Sequence, residues 1–267
     1  MNKTCKKIKN IGSSPLYIVS AVFLLISAAL TVLKFFMSPS YFSDIITPLF
    51  PGSQLSFVPW YYPYVLDFAF VPFLLKALLD VIMFFGMLFV FITMCRKKEE
   101  SCKLGAGRGF IKTSAVIEMI FSFIIVVSVF ILQFSHIMPL FVDMVDMGDT
   151  IPENEIILLA VTFAVMVLVI VFNSVYVKKL SSTLKAVDKT LKKGIIMGKV
   201  SAFLIFYNYI IILLYLGLLV VMFLFDKNDL IMKAAVLSAL VSRMLLNINL
   251  ASMRSEMLYI KSRGFNS

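Results

Sequence analysis

Residues 155–177 read EIILLAVTFAVMVLVIVFNSVYV, and two lysines follow immediately. After Glu155 the stretch holds no charged side chain, and it is long enough to cross the hydrocarbon core of a bilayer as an α-helix, which takes about 20 residues. Five further stretches share this character. The chain therefore contains six candidate membrane spans, at 16–37, 68–95, 114–142, 155–177, 195–225 and 230–251.

The composition agrees with this interpretation. Of the 267 residues, 61% are hydrophobic and 15% are charged, whereas a soluble domain has about 45–50% and about 25%. Soluble, disordered and disulfide-rich secreted proteins are excluded, and no window alternates as the strands of an outer-membrane barrel do. We predict an all-α polytopic integral membrane protein, with one domain over 1–267 formed by a bundle of six transmembrane helices.

The distribution of charge predicts the orientation. With six spans, 20 of the 25 basic residues fall on one side of the membrane, and nine of the 15 acids fall on the other. The positive-inside rule places the basic side in the cytoplasm. We therefore expect a cell-membrane protein with both termini on the cytoplasmic side. The net charge of +10 then reflects topology and attraction to anionic inner-leaflet lipids. No nucleic-acid partner is expected, because the basic residues are scattered over short loops.

Ionisable side chains within spans are costly and suggest function. Lys34 and Lys233 lie near the outer boundary, where their stems can carry the ammonium groups outward. Lys76 and Asp80 are four residues apart, share a helix face and can pair. The favoured interpretation is that this pair fixes helix packing, and the alternative is a proton- or ion-coupling site. Glu118 and Arg243 complete the set.

Small residues recur at every fourth position of the last span, and they allow helices to approach closely. Ala235 and Ala239 align in this way with Arg243 and Asn247. We therefore expect this face to pack inside the bundle and to carry Arg243 and Asn247 inward. The expected partner of Arg243 is Glu118 or Asp80.

Other spans also present polar stripes. Asn208 lies in a polar seam of the fifth span, and His136 lies at the external end of a stripe on the third. His136 is interpreted as a satisfied interface residue, with a pH-sensitive role as the alternative. One histidine cannot build a zinc site, so no metal is expected. The polar stripes either hold the helices together or line a cavity. The candidate intramembrane coupling site consists of Lys76, Asp80, Glu118, Asn208, Arg243 and Asn247.

Three of the segments that connect the predicted spans have informative compositions. Residues 38–66 form an external loop rich in proline and aromatic side chains, interpreted as an interfacial anchor, or alternatively as a cap over an external cavity. Residues 178–194 form a basic amphipathic cytoplasmic helix whose apolar stripe faces lipid, or alternatively docks a partner. The glycine-rich stretch 105–109 is expected to be a flexible turn.

No catalytic motif such as GxSxG, HExxH or GxxxxGK[ST] occurs, so we expect no catalytic residues, no enzymatic activity and no cofactor. The expected function is a permease-like component of a transport system for a small solute, peptide or lipid. It would work with a separate cytoplasmic ATPase or other membrane subunit, or by ion coupling through Asp80, Glu118 and Arg243. The alternative is a non-transporting membrane sensor, scaffold or assembly factor.

Overall fold

The computed structural model describes residues 3–38, 70–95, 102–147, 153–225 and 229–262. Within these residues all regular structure is α-helical. The helices are α1 (Lys3–Gly12), α2 (Pro15–Met37), α3 (Val71–Cys95), α4 (Gly105–Met147), α5 (Glu153–Lys193), α6 (Ala202–Phe225) and α7 (Leu230–Ser262). The loop expected at 38–66 lies, after Ser38, outside the described residues.

In this part of the chain six helices are long and apolar enough to cross a membrane, which confirms the all-α class and the number of spans. Their ends differ from the predicted boundaries. The helix α4 begins at Gly105 rather than at 114, α7 continues to Ser262, and α6 begins at Ala202 rather than at 195. Hydropathy marks only the part of a helix that crosses lipid, and α4 and α7 extend beyond it. The start of α6 was predicted too early, because the segment before Ala202 bonds back to Thr190 and Thr183 of α5 instead of joining the helix.

The six long helices form a closed ring. Each of α2 to α6 packs against the next helix, and α7 packs back against α2. The short amphipathic helix α1 lies across one end of this ring, against α3, α5 and α7. We call the end of the ring that α1 covers the basic end, because α1 carries Lys3, Lys6, Lys7 and Lys9. Lys7 of α1 forms an ion pair with Glu256 of α7 there, at 2.6 Å.

Small residues join α2 to α7 along a closely packed seam. The Ser20 hydroxyl donates to the Ser242 carbonyl at 3.0 Å, and the Ser242 hydroxyl donates to the Ser20 carbonyl at 2.8 Å. Ser14 donates to the side-chain oxygen of Asn249 at 2.7 Å. The predicted inward face of α7 is confirmed, since Ala235, Ala239, Arg243 and Asn247 are all buried.

Two glycines bring α3 and α4 into contact. A Cβ atom on Gly107 would lie 2.8 Å from the Gly86 carbonyl oxygen and 2.8 Å from the Val90 nitrogen. The stretch 105–109 was expected to be a flexible turn, and this is wrong: it forms the first turns of α4. Close packing of Gly107 on α3 holds these turns in place.

We expect Gly107→Ala to destabilise the protein by about 1–3 kcal/mol, the cost of overpacking a close contact. The added methyl group would meet backbone atoms of α3, which cannot move aside as a side chain does. Thermal unfolding in detergent measures the effect. Gly109→Ala is the matched control, because nothing lies within 4 Å of its added Cβ. Equal behaviour of the two variants would contradict the close helix approach.

The amphipathic segment predicted at 178–194 continues the fourth span without a break, up to Lys193 of α5. Its apolar stripe does not face lipid. Leu180, Val187 and Leu191 are buried in a core cluster that includes Ile8 of α1. The stripe therefore packs within the protein, because α1, which the sequence analysis had not predicted, covers this face.

Asp188 is the centre of the polar contacts at the basic end. Its carboxylate accepts a hydrogen bond from the Leu104 N–H at 2.9 Å and pairs with Arg108 at 3.2 Å and Lys192 at 3.0 Å. Burial by itself would raise the pKa of this carboxyl, but these donors outweigh it and hold the pKa below its ordinary value. The charged carboxylate thus ties the start of α4 to α5.

We expect Asp188→Asn to lower stability near neutral pH by about 1–2 kcal/mol, through the loss of charge-assisted hydrogen bonds. Because the native pKa is lowered, the contribution of Asp188 is fully present above the unfolded carboxyl pKa of about 4. It is lost as the pH falls through the native value. Unfolding temperatures of wild type and variant should therefore converge at low pH. Glu256→Gln, at an exposed ion pair, should change little, and a pH-independent deficit in Asp188→Asn would contradict this role.

Candidate functional site

A cavity of about 590 Å³ lies between the helices of the ring, lined by α3, α4, α5, α6 and α7, and it opens to the surface beside Leu168 and Leu214, which are more than half exposed. This volume falls in the range of about 300–1,000 Å³ that is usual for ligand sites. Most of its lining is apolar, with Leu75, Phe121, Phe172 and Ile211 among the contributors. The polar side chains on its wall are those of Lys76, Glu118, Ser122, Asn173, Tyr176, Tyr207, Tyr215 and Arg243.

Lys76 lies between two acids. Its ammonium group pairs directly with Asp80, one turn further along α3, as the four-residue spacing predicted. Its Nζ also lies 3.5 Å from Oε1 of Glu118 on α4. The Asp80 side chain is 9% exposed, whereas those of Lys76 and Glu118 are 34% and 32% exposed. Asp80 is thus enclosed behind the lysine, and Glu118 keeps open surface toward the cavity.

Arg243 enters the same cavity from α7, although the residue is only 8% exposed. It interacts electrostatically with Tyr176, Glu118 and Asp80. The predicted neighbours are therefore present, but no direct ion pair joins Arg243 to a carboxylate in the described part of the chain. The side chain of Tyr176 accepts a hydrogen bond from the guanidinium.

Two tyrosines form part of the wall. The rings of Tyr176 and Tyr207 stack with centroids 4.2 Å apart, and the Tyr207 hydroxyl donates to Oδ1 of Asn173 at 2.5 Å. Neither tyrosine was predicted from the sequence as part of the site. Tyr176 follows Asn173 by three residues, so a shared helix face was the signal that could have identified it.

The two asparagines of the predicted site lie elsewhere. Asn208 lines a second cavity of about 90 Å³, whose lining is largely methionine and leucine. Asn247 is buried on α7 and does not line the larger cavity. Among the described residues, the side-chain oxygens of both have no hydrogen-bond partner. The side chain of His136 lies outside those that the structure describes.

The two lysines expected to extend outward have partners inside the protein. Lys34 pairs with Asp229 at 2.8 Å, with side-chain exposures of 13% and 6%. Lys233 is buried, with its ammonium group 5.0 Å from the ring centroid of Phe223. The expectation for Lys233 was wrong, because hydropathy alone did not show that a neighbouring helix supplies an aromatic face for the cation.

The charges around the cavity balance, with two acids and two bases. Lys76 and Asp80 neutralise each other directly. Glu118, which Lys76 approaches to 3.5 Å, and Arg243 place a carboxylate and a guanidinium on the wall of the same mostly apolar space. In the described ranges no group of three or more histidine, cysteine, aspartate or glutamate side chains could hold a metal ion.

Six apolar helices around a charged cavity define a multi-pass membrane protein. Comparison of the chain with protein-family models, with curated proteins and with solved structures finds no match.

We expect Asp80→Asn to destabilise the protein by roughly 1–3 kcal/mol, because it leaves Lys76 without its direct partner. This is less than the 3–5 kcal/mol typical of a fully buried pair, since Lys76 is partly exposed. The double variant Lys76→Gln/Asp80→Asn should recover much of the loss. Thermal unfolding in detergent measures both. Additive losses in the double variant would contradict the pairing.

Proposed function

We propose that the protein is a permease-like membrane component, and that the cavity inside the ring is its binding site for a small solute, peptide or lipid. The observation that carries the proposal is the placement of Glu118 and Arg243 on one mostly apolar cavity wall in the middle of six apolar helices. Ionisable groups inside a membrane protein commonly mark substrate or ion pathways.

The lining defines the chemistry of the ligand. Glu118 suits an ammonium group, Arg243 suits a carboxylate or phosphate, and side chains such as Phe121 and Phe172 suit an apolar body. A small amphipathic molecule with both charges matches these features. Apolar amino acids and short apolar peptides are the simplest members of this class, and a zwitterionic lipid is a larger one.

Tyr176 marks the direction of movement that transport would require. Its ring lines both the larger cavity and the smaller one that extends toward Leu180 and Val187 of the basic end. Tyr207, stacked on it, lines the larger cavity but not the smaller one. In the proposed mechanism, displacement of this tyrosine pair joins the two cavities and opens the site toward the basic end, as alternating access demands.

We further propose a membrane location, an orientation and an energy source for the protein. The positive-inside distribution favours a cell membrane location with both termini in the cytoplasm. Energy would come from a separate ATPase or other membrane subunit, or from ion coupling through Asp80 and Glu118. The basic end, with its anionic-lipid attraction, would then face the cytoplasmic partner.

The test is uptake into liposomes that contain the purified protein, with radiolabelled leucine and dileucine as probes. An imposed proton gradient or an outward gradient of unlabelled probe supplies the driving force. We expect uptake above that of protein-free liposomes. Glu118→Gln and Arg243→Gln should each reduce it by about tenfold or more, because each removes a charge-assisted hydrogen bond of about 1.5–3 kcal/mol. Glu256→Gln, at the exposed pair of the basic end, is the matched control and should retain uptake.

Abundance and unfolding temperature must be measured in parallel. Reduced uptake at unchanged folding supports the binding site. Wild-type uptake no greater than in protein-free liposomes, or full uptake by a folded Glu118→Gln variant, contradicts the proposal for these probes. If the cavity variants lose only abundance, the charges are structural, and a sensor, scaffold or assembly factor becomes the better interpretation.

A further inference from the structure

A second concave surface lies at the basic end, distinct from the charged cavity in the ring. It encloses about 770 Å³ between α4, α5 and the segment that follows α5. We call it the lysine groove. Its basic side chains all carry ammonium groups, and two serine hydroxyls lie among them: Lys112, Lys178, Lys185, Lys189, Lys199, Ser181 and Ser182.

The groove owes its shape to the turn at the end of α5. Gly194 adopts a φ of +69°, and its N–H donates to the Thr190 carbonyl at 2.8 Å, which ends the helix. A left-handed glycine in this position is the common way to stop a helix. The chain then folds back, and the Met197 N–H donates to Oγ1 of Thr190 at 3.1 Å.

Further contacts fix the returning segment along α5. The Ser201 N–H donates to Oγ1 of Thr183 at 3.2 Å. Gly198 lies so close to α5 that an added Cβ would be 2.7 Å from the Cβ of Ala186. The wall that carries Lys199 is thus held against α5 at several points, and the groove is a built feature of the fold.

The positive charge of the lysine groove is not balanced by carboxylates of the described residues. No carboxylate lines the groove, and among the described residues none of its five lysines forms an ion pair. Asp188, the acid that lies nearest along α5, is buried and pairs with Arg108 and Lys192 instead. Five ammonium groups and two hydroxyls around one open space suit an anion with several oxygens, and phosphate is such an anion.

We propose that the lysine groove binds the phosphate headgroup of an anionic phospholipid. The groove starts at Val177 and Lys178, where the apolar part of α5 ends. Above this point α5 leaves Ile157, Val161 and Val171 exposed, so acyl chains can lie along the helix while the headgroup occupies the groove. A basic pocket at the membrane surface beside an apolar helix face favours a lipid over a free phosphate compound. This proposal does not depend on transport.

The experiment is native mass spectrometry of the detergent-solubilised full chain with added phosphatidylglycerol, phosphatidylcholine or inorganic pyrophosphate. Wild type should retain phosphatidylglycerol in preference to phosphatidylcholine. Lys185→Gln/Lys189→Gln should weaken phosphatidylglycerol binding by about tenfold or more. The matched control is Lys179→Gln/Lys193→Gln, which removes the same charge from exposed lysines of α5 outside the groove, and it should bind as wild type does.

Each other outcome overturns the proposal. Equal loss in the groove and control variants would show attraction by net charge without a site. Equal retention of phosphatidylglycerol and phosphatidylcholine would remove the preference for an anionic lipid. Pyrophosphate that binds as tightly as phosphatidylglycerol, and competes with it, would identify a soluble phosphate compound as the ligand. Unfolding temperatures without lipid confirm that all variants fold, since the substituted lysines form no ion pair in the described structure.

Discussion

The close packing of α2 against α7 determines how the rest of the bundle is arranged. Ser20 and Ser242 exchange hydrogen bonds with each other's backbone, which requires that both helices present small residues at the crossing. Because α2 is held on this face of α7, none of its side chains lines the larger cavity. The cavity is therefore bounded by the other five long helices, and Arg243 is the residue that α7 contributes to its lining.

Charge balance is the second constraint on the bundle. Lys76 has Asp80 as a direct partner and Glu118 at a longer distance, so the lysine does not need a ligand to offset its desolvation. Apolar clusters lie on either side of this charged layer, one around Leu204 and Met87 and the other around Met232. The difference in exposure between shielded Asp80 and open Glu118 gives these two acids different environments.

Hydropathy was enough to predict the six apolar helices that could span a membrane, and spacing was enough to predict the Lys76–Asp80 pair and the buried face of α7. Both depend on residues close together in sequence. What could not be predicted depends on contacts between helices. Polar residues of α7 do both of the things that the sequence left open. Ser242 joins α2 to α7, whereas Arg243, the next residue, lines the cavity. Likewise, nothing near Leu191 in sequence shows that Ile8 covers it.

The unbroken length of α5 has a mechanical consequence. Tyr176, on the wall of the larger cavity, and Asp188, which ties α5 to the start of α4, are 12 residues apart on one continuous helix. A rise of 1.5 Å per residue puts them about 18 Å apart along a stiff rod. A tilt or rotation of this rod cannot displace the tyrosine without straining the carboxylate's anchor points. The position of Tyr176 in the cavity wall and the contacts of Asp188 at the basic end therefore depend on the same continuous helix.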